Sequence, residues 1–178
     1  MANQYIDGSA FHLYGGNIDA LSVVKDKFPE KNLYFTEQWT GKNGTFAGDL
    51  SWHVKNVVIG SMNNWSKVAL EWNLANDSSF GPHTPFGCTE CKGALTIDGS
   101  AVQRNVAYYI IAHASKFVPS GSVRISSSVV AGLPSVSFMT PNKKVVLIVV
   151  NDKNETQQFK VKYLRREMRV SLKAGAVS

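Results

Sequence analysis

The hydrophobic period of the chain changes once, at Pro119, and few folds accommodate such a change. Before it, strand-like and helix-like stretches alternate. GSAFHLYG (8–15), NLYFTE (32–37) and KVALEWNL (67–74) are rich in β-branched and aromatic residues, lie between turn residues, and read as strands. NIDALSVVKDKF (17–28), DLSWHVKNVVIGSMNNW (49–65) and SAVQRNVAYYIIAHASKF (100–117) read as helices. In the first, Ile18, Leu21, Val24 and Phe28 share a face. In the second, Leu50, Trp52, Val54, Val57, Val58 and Met62 are the expected buried positions, and both Trp52 and Trp65 are placed in the core. Ser100 is the expected cap of the third and Pro119 its end, with a long loop over 75–99.

After Pro119 the helical period is gone. SVRISSSVV (122–130), SVSFMTP (135–141), KVVLIVVND (144–152), TQQFKVKYL (156–164) and EMRVSLKAG (167–175) alternate at period two between turn residues, as in an antiparallel sandwich. The expected architecture is α/β plus all-β, with residues 1–119 as one part and 120–178 as the other. Three βα units alone cannot cover both faces of a parallel sheet. A closed (β/α)8 TIM barrel takes about 250 residues, so 1–119 reads as the last three βα units of such a barrel. The sandwich stops at KAGAVS, where a further strand begins, and the sequence reads as a fragment cut at both ends.

Composition removes several classes of function. No apolar run in the 178 residues approaches the roughly 20 that a spanning helix needs. The start, MANQYIDGSAF, has neither a basic segment nor an apolar one of signal-peptide type. The formal charge of +6 is uneven: residues 1–120 hold 9 Lys/Arg against 10 Asp/Glu, and residues 121–178 hold 10 against 3. Those C-terminal cations alternate with apolar residues and have few aromatics among them, which reads as the wet face of a sheet and not as a nucleic-acid site. Cys88 and Cys91 form a lone C-x-x-C in a Gly/Pro/Thr-rich loop, without the second pair of a structural zinc site. They read as a loop staple or two plain thiols. Sequons at Asn43, Asn64, Asn76 and Asn154 are compatible with secretion.

One carboxylate stands out. In LYFTEQW, an apolar strand ends in Glu37, where an unpaired charge is costly. The other strand ends hold His12 and Tyr14, then Glu71, Trp72 and Asn73, with Trp39 just past Glu37. In a barrel these ends form one rim. A carboxylate, a phenol, an imidazole, two indoles and an amide make a sugar site, since aromatic faces stack on ring C–H surfaces and polar groups bond hydroxyls. His53, His83 and His113 show no ligand spacing and receive no role.

Four segments in order, DGSAFHLYGG, LYFTEQWTG, VALEWNLAN and AHASKFVPSGSVRI, resemble the C-terminal half of glycoside hydrolase family 30, the glucosylceramidase-like retaining β-glycosidases. The resemblance covers essentially the whole chain. It implies that Glu37, at the end of the Phe-Thr-Glu motif, is the nucleophile, that His12 and Tyr14 lie beside it with Tyr14 donating a hydrogen bond, and that Trp72 walls the sugar subsite. Trp39 is a further substrate-binding candidate. It also implies a β-sandwich packed on the barrel, a carbohydrate or glycolipid substrate, no cofactor, and a secreted or periplasmic location. The family's acid/base lies in an Asn-Glu-Pro motif that does not occur in this sequence, so a missing N-terminal barrel half is expected to be required for activity. Glu71 is on a strand the family does not use for the proton donor. Leu13 replaces an aromatic found in some relatives, which leaves the sugar open. Two functions follow: the nucleophile part of a retaining glucosylceramidase, β-glucosidase or β-1,6-glucanase-like enzyme, or a non-catalytic polypeptide that binds glycans and is inactive alone.

Overall fold

The structure, a computed structural model, describes residues 2–178. Strand β1 (Gly8–His12) leads through α1 (Ala20–Lys27) to β2 (Asn32–Glu37), followed by the two-residue strand β3 (Thr40–Gly41). Helix α2 (Phe46–His53) continues through a π-helical stretch (Val54–Ile59) into α3 (Gly60–Asn63), then β4 (Ser66–Ala69). Thr45 caps α2, its hydroxyl accepting from the Gly48 N–H at 3.2 Å. The three long strands form a parallel sheet in the order β1-β2-β4. Leu21, Leu33 and Phe35 are buried between this sheet and its helices.

The segment expected to be a loop is partly ordered into strands. β5 (Ala75–Asn76) and β6 (Cys91–Lys92) flank a turn-rich stretch, and β7 (Leu95–Asp98) pairs with β8 (Ala101–Arg104) as a hairpin. Cys88 and Cys91 are disulfide-bonded, which settles the staple against the free thiols. The hairpin corrects the expected helix over 100–117. With Asp98 paired to Ala101, Gly99-Ser100 is the two-residue hairpin turn, and Gly99 takes φ +57°, where a side chain would be strained. Ser100 therefore caps nothing. Helix α4 (Val106–Ser115) starts six residues later, after Asn105, whose amide bonds Gly93 O and Thr96 Oγ1 instead.

The chain then forms an antiparallel β-sandwich. One sheet has the order β11-β10-β9, from β9 (Val123–Ile125), β10 (Ser135–Met139) and β11 (Val145–Val149). The other is the hairpin of β12 (Gln157–Tyr163) and β13 (Arg166–Leu172). The first of these strands is shorter than its alternation suggests, because residues 126–130 pair with nothing regular. Where KAGAVS led us to expect another strand, Val177 bridges Val150. Leu133, Val149 and Leu172 pack between the sheets with Phe159 and Val170. The largest core cluster crosses Pro119: Val54, Val58, Ile59, Val106 and Ile110 of the helices pack on Val136, Phe138, Ile148 and Val150 of the sandwich. A Lys55–Asp152 ion pair and a hydrogen bond from Asn63 to Ser135 O at 3.0 Å tie the same two layers.

Both tryptophans expected in the core are at the surface, Trp52 at 42% and Trp65 at 50% exposure. Two positions from Leu50 or Val54 is about 200° around a helix, so Trp52 falls opposite the buried stripe. Trp65 lies beyond the helix end at φ +72°, with the Arg124 guanidinium over its ring at 5.2 Å.

Candidate active site

Strict alternation along β2 would put Glu37 on the same side as Phe35, which is fully buried under the helices. The pairing with β1 prevents this. Residues run in register from Gly8↔Asn32 to Phe11↔Phe35, and the next pair is His12↔Glu37, with Thr36 skipped. This β-bulge turns the Glu37 side chain to the face that His12 occupies, the usual role of bulges beside functional sites.

Tyr14 OH donates to Glu37 Oε1 at 2.8 Å, and His12 Nδ1 lies 3.6 Å from the same oxygen. The His12 and Tyr14 rings meet edge to face at 5.6 Å. The Glu37 side chain retains 28% exposure, so it is held yet reachable. Burial, the hydrogen bond to Glu37 and the negative charges of Glu37 and Glu71 push the Tyr14 phenol well above its usual range. It therefore stays protonated, and remains a donor, throughout the physiological range.

The backbone N–H of Trp72 donates to Gln38 O, which ties the stretch after β4 to the residue next to Glu37, and the Trp72 side chain is exposed. Trp39 is half-buried and packs against Gly41, where even a methyl group would meet the indole at 2.8 Å. β3 pairs with β6, so the stapled loop is joined to the segment that follows Glu37 and Trp39. All five residues expected at the site thus stand on the strand ends of one sheet or directly after them.

Glu71 takes a different place. It faces the helix layer, where His53 Nδ1 is 2.7 Å from its Oε1, with side-chain exposures of 6% for His53 and 4% for Glu71. Its Oε2 is buried without a hydrogen-bond partner. Burial raises its carboxyl pKa, His53 pulls it back, and Asp49 adds a smaller upward push. Sequence reasoning left His53 without a role, since nothing in local spacing links a helix position to a residue eighteen positions on, two past the end of β4. Two sequons are also committed elsewhere. Asn76 is buried, its Nδ2 donating to Cys91 O at 2.7 Å, and Asn64 bonds Gly60 O and Ser22 Oγ. Among the described residues, no group of three or more His, Cys, Asp or Glu is placed to hold a metal ion, and no helix is long and apolar enough to cross a membrane.

Residues 121–178 match the glycosyl hydrolase family 30 beta sandwich domain. An endo-1,6-beta-D-glucanase of Aspergillus fumigatus is 31% identical over 160 residues, which make up 84% of this chain and 32% of that protein. Putative glucosylceramidase 4 of Caenorhabditis elegans is 27% identical over 90% of this chain and 33% of its own length. Among solved structures, the endo-beta1,6-glucanase BT3312 matches with a TM-score of 0.89 at 33% identity, across 99% of this chain and 41% of that one. The chain spans about a third of the length of these curated relatives. Matched in its sandwich, in its overall fold and along nearly all of its sequence, this chain belongs to glycoside hydrolase family 30.

Proposed function

We propose that the chain supplies the nucleophile side of a retaining β-glycosidase of the β-1,6-glucanase and glucosylceramidase kind, with its βα units as the last three of a TIM barrel. The observation that carries this reading is Glu37, turned by the Thr36 bulge to the side of His12 and held by Tyr14 at 2.8 Å. A nucleophilic carboxylate must be ionised and aimed, and a neutral phenol donating to one oxygen leaves the other free for attack. Glu37 attacks the anomeric carbon, the bond to the leaving oxygen breaks, and a glycosyl ester forms. Water then cleaves that ester with retention of configuration. His12 and Tyr14 hold the carboxylate, while Trp72 and Trp39 offer faces to the sugar.

The proton for the leaving oxygen comes from a second carboxyl group. Glu71 is committed to His53, so we assign that role to the part of the barrel that the relatives' additional length supplies. The chain by itself is then expected to show no turnover. The test is to co-express it with the remaining two thirds of an endo-1,6-β-glucanase and assay β-1,6-glucan. Activity should appear, vanish in Glu37→Gly, and return with azide as a glycosyl azide of inverted configuration. Hydrolysis by the chain alone, or undiminished activity in Glu37→Gly, would contradict the proposal.

A further inference from the structure

Trp52 stands at the surface of the helix layer. It is large, apolar and 42% exposed, and it lies on the face of α2 away from the buried stripe. It lines an open cleft of about 440 Å³ between α2 and the segment that leads from β1 into α1. Its other walls include Tyr14, Gly15, Gly16, Asn17, Asp19 and Asn56.

Of the polar side chains that line the cleft, Asn56 donates to Trp52 O at 2.9 Å and Tyr14 to Glu37, while Asn17 and Asp19 are unspent. Asp19 occupies the N-cap position of α1, yet its carboxylate makes no capping hydrogen bond. Among the described residues, the side chains of Asn17 and Asp19 and the Trp52 indole N–H have no hydrogen-bond partner. Nothing approaches within 4 Å of where a side chain on Gly15 or Gly16 would stand, so the backbone there is bare. An aromatic face with a free N–H, a carboxylate, an amide and uncovered peptide groups can stack on and bond a hexose, whose hydroxyls both donate and accept. Tyr14 belongs to both places, since its residue walls the cleft and its hydroxyl rests on Glu37.

We infer that this cleft is a second sugar subsite, in which Trp52 stacks on a glycosyl unit of the same glycan whose neighbouring unit sits at Glu37. The inference rests on the glycosidase reading above. It makes Trp52 and Asp19 determinants of preference for extended over single sugars.

The four tryptophans permit a test on the chain as it stands. Each indole N–H signal is assigned by single Trp→Phe replacement, and the labelled protein is titrated with glucose and with β-1,6-gluco-oligosaccharides of two to four units. Trp39 and Trp72 report on the Glu37 site, Trp52 on the cleft, and Trp65, beside Arg124 at the far end of α3, is the control. The expected result is that Trp52 shifts only with the oligosaccharides, which bind more tightly than glucose. Trp52→Ala should remove that gain, about tenfold, and leave glucose binding unchanged. Because Trp52 also touches His53, Asp19→Ala provides a variant with no packing role, and it should weaken oligosaccharide binding severalfold while glucose binding holds. Shifts at Trp39 and Trp72 with Trp52 silent at every length would overturn the cleft and leave the glycosidase reading standing. Silence at all four, or equal shifts at Trp65, would overturn the cleft, while the glycosidase reading stands or falls with the Glu37→Gly assay of the complemented enzyme.

Discussion

At the scale of single residues, the two carboxylates at the strand ends behave as opposites. Glu37 is exposed enough to act and is held by a phenol, whereas Glu71 is buried and held by an imidazole. Replacing Tyr14 with Phe removes one hydrogen bond to a charged group, worth about 1.5–3 kcal/mol, so kcat/KM in the complemented enzyme should fall about 10- to 100-fold with little loss of stability. Equal activity in Tyr14→Phe would show that the contact does not aim the nucleophile. For Glu71 the effect is on folding. Its folded pKa is raised, so it binds its proton more tightly in the native state, and the associated stability is present at low pH and lost as pH rises through the raised value. His53 opposes this shift, while Asp49 reinforces it. Urea titrations from about pH 4 to about pH 8 should therefore show wild type losing stability relative to Glu71→Gln, which cannot ionise. Parallel curves would show that burial does not raise the Glu71 carboxyl in the folded chain. Glu37, His12 and Tyr14 were legible because their spacing is that of a recognisable motif. His53 and Glu71 were not, since their pairing exists only once a helix has been laid across a strand.

At the scale of elements, the strands were the most legible part, because a period of two survives in short segments bounded by turns. The misreadings share one cause, which is that a local pattern was extended past its stop signal. SAVQR was joined to the helix after it, although Gly99-Ser100 announces a hairpin, and Trp52 was assigned to a stripe it misses by geometry. A polar residue can mislead in the same way. Asn151 reads as a turn residue, yet it is fully buried, its amide offered to the carbonyls of Glu155, Leu172 and Lys173 and its oxygen accepting from the Lys153 N–H. It joins the end of β11 to the β12–β13 hairpin. Asn151→Ala should cost about 3 kcal/mol, because several buried backbone groups lose their partner together, and chemical denaturation would read the loss directly. A change within about 0.5 kcal/mol would mean the hairpin is held by its apolar face alone.

At the scale of the whole molecule, the helices have two dependents. One side of the helical layer covers Leu33 and Phe35 of the parallel sheet, and the other is covered by Val136, Phe138 and Ile148 of the sandwich. Ile148→Ala should therefore cost about 2–5 kcal/mol and should speed amide exchange in α4 as well as in β11. Exchange that quickens only in the sandwich would argue for two independent folding units. The sequence suggested a division at Pro119 because the period changes there, and periodicity reports what each segment forms, not what it leans on.

The core that runs under Pro119 bears on how such proteins can be recombined. A joint at that residue looks convenient, since it falls between a helix and a run of strands. Chimeras made there would mate the valine and isoleucine faces of one lineage with a sandwich shaped to another, and the mismatch would sit in the largest buried cluster. Exchange of catalytic specificity among relatives should accordingly travel more easily through the loops after β1, β2 and β4 than through trading the sandwich, which is inherited with the helices it covers.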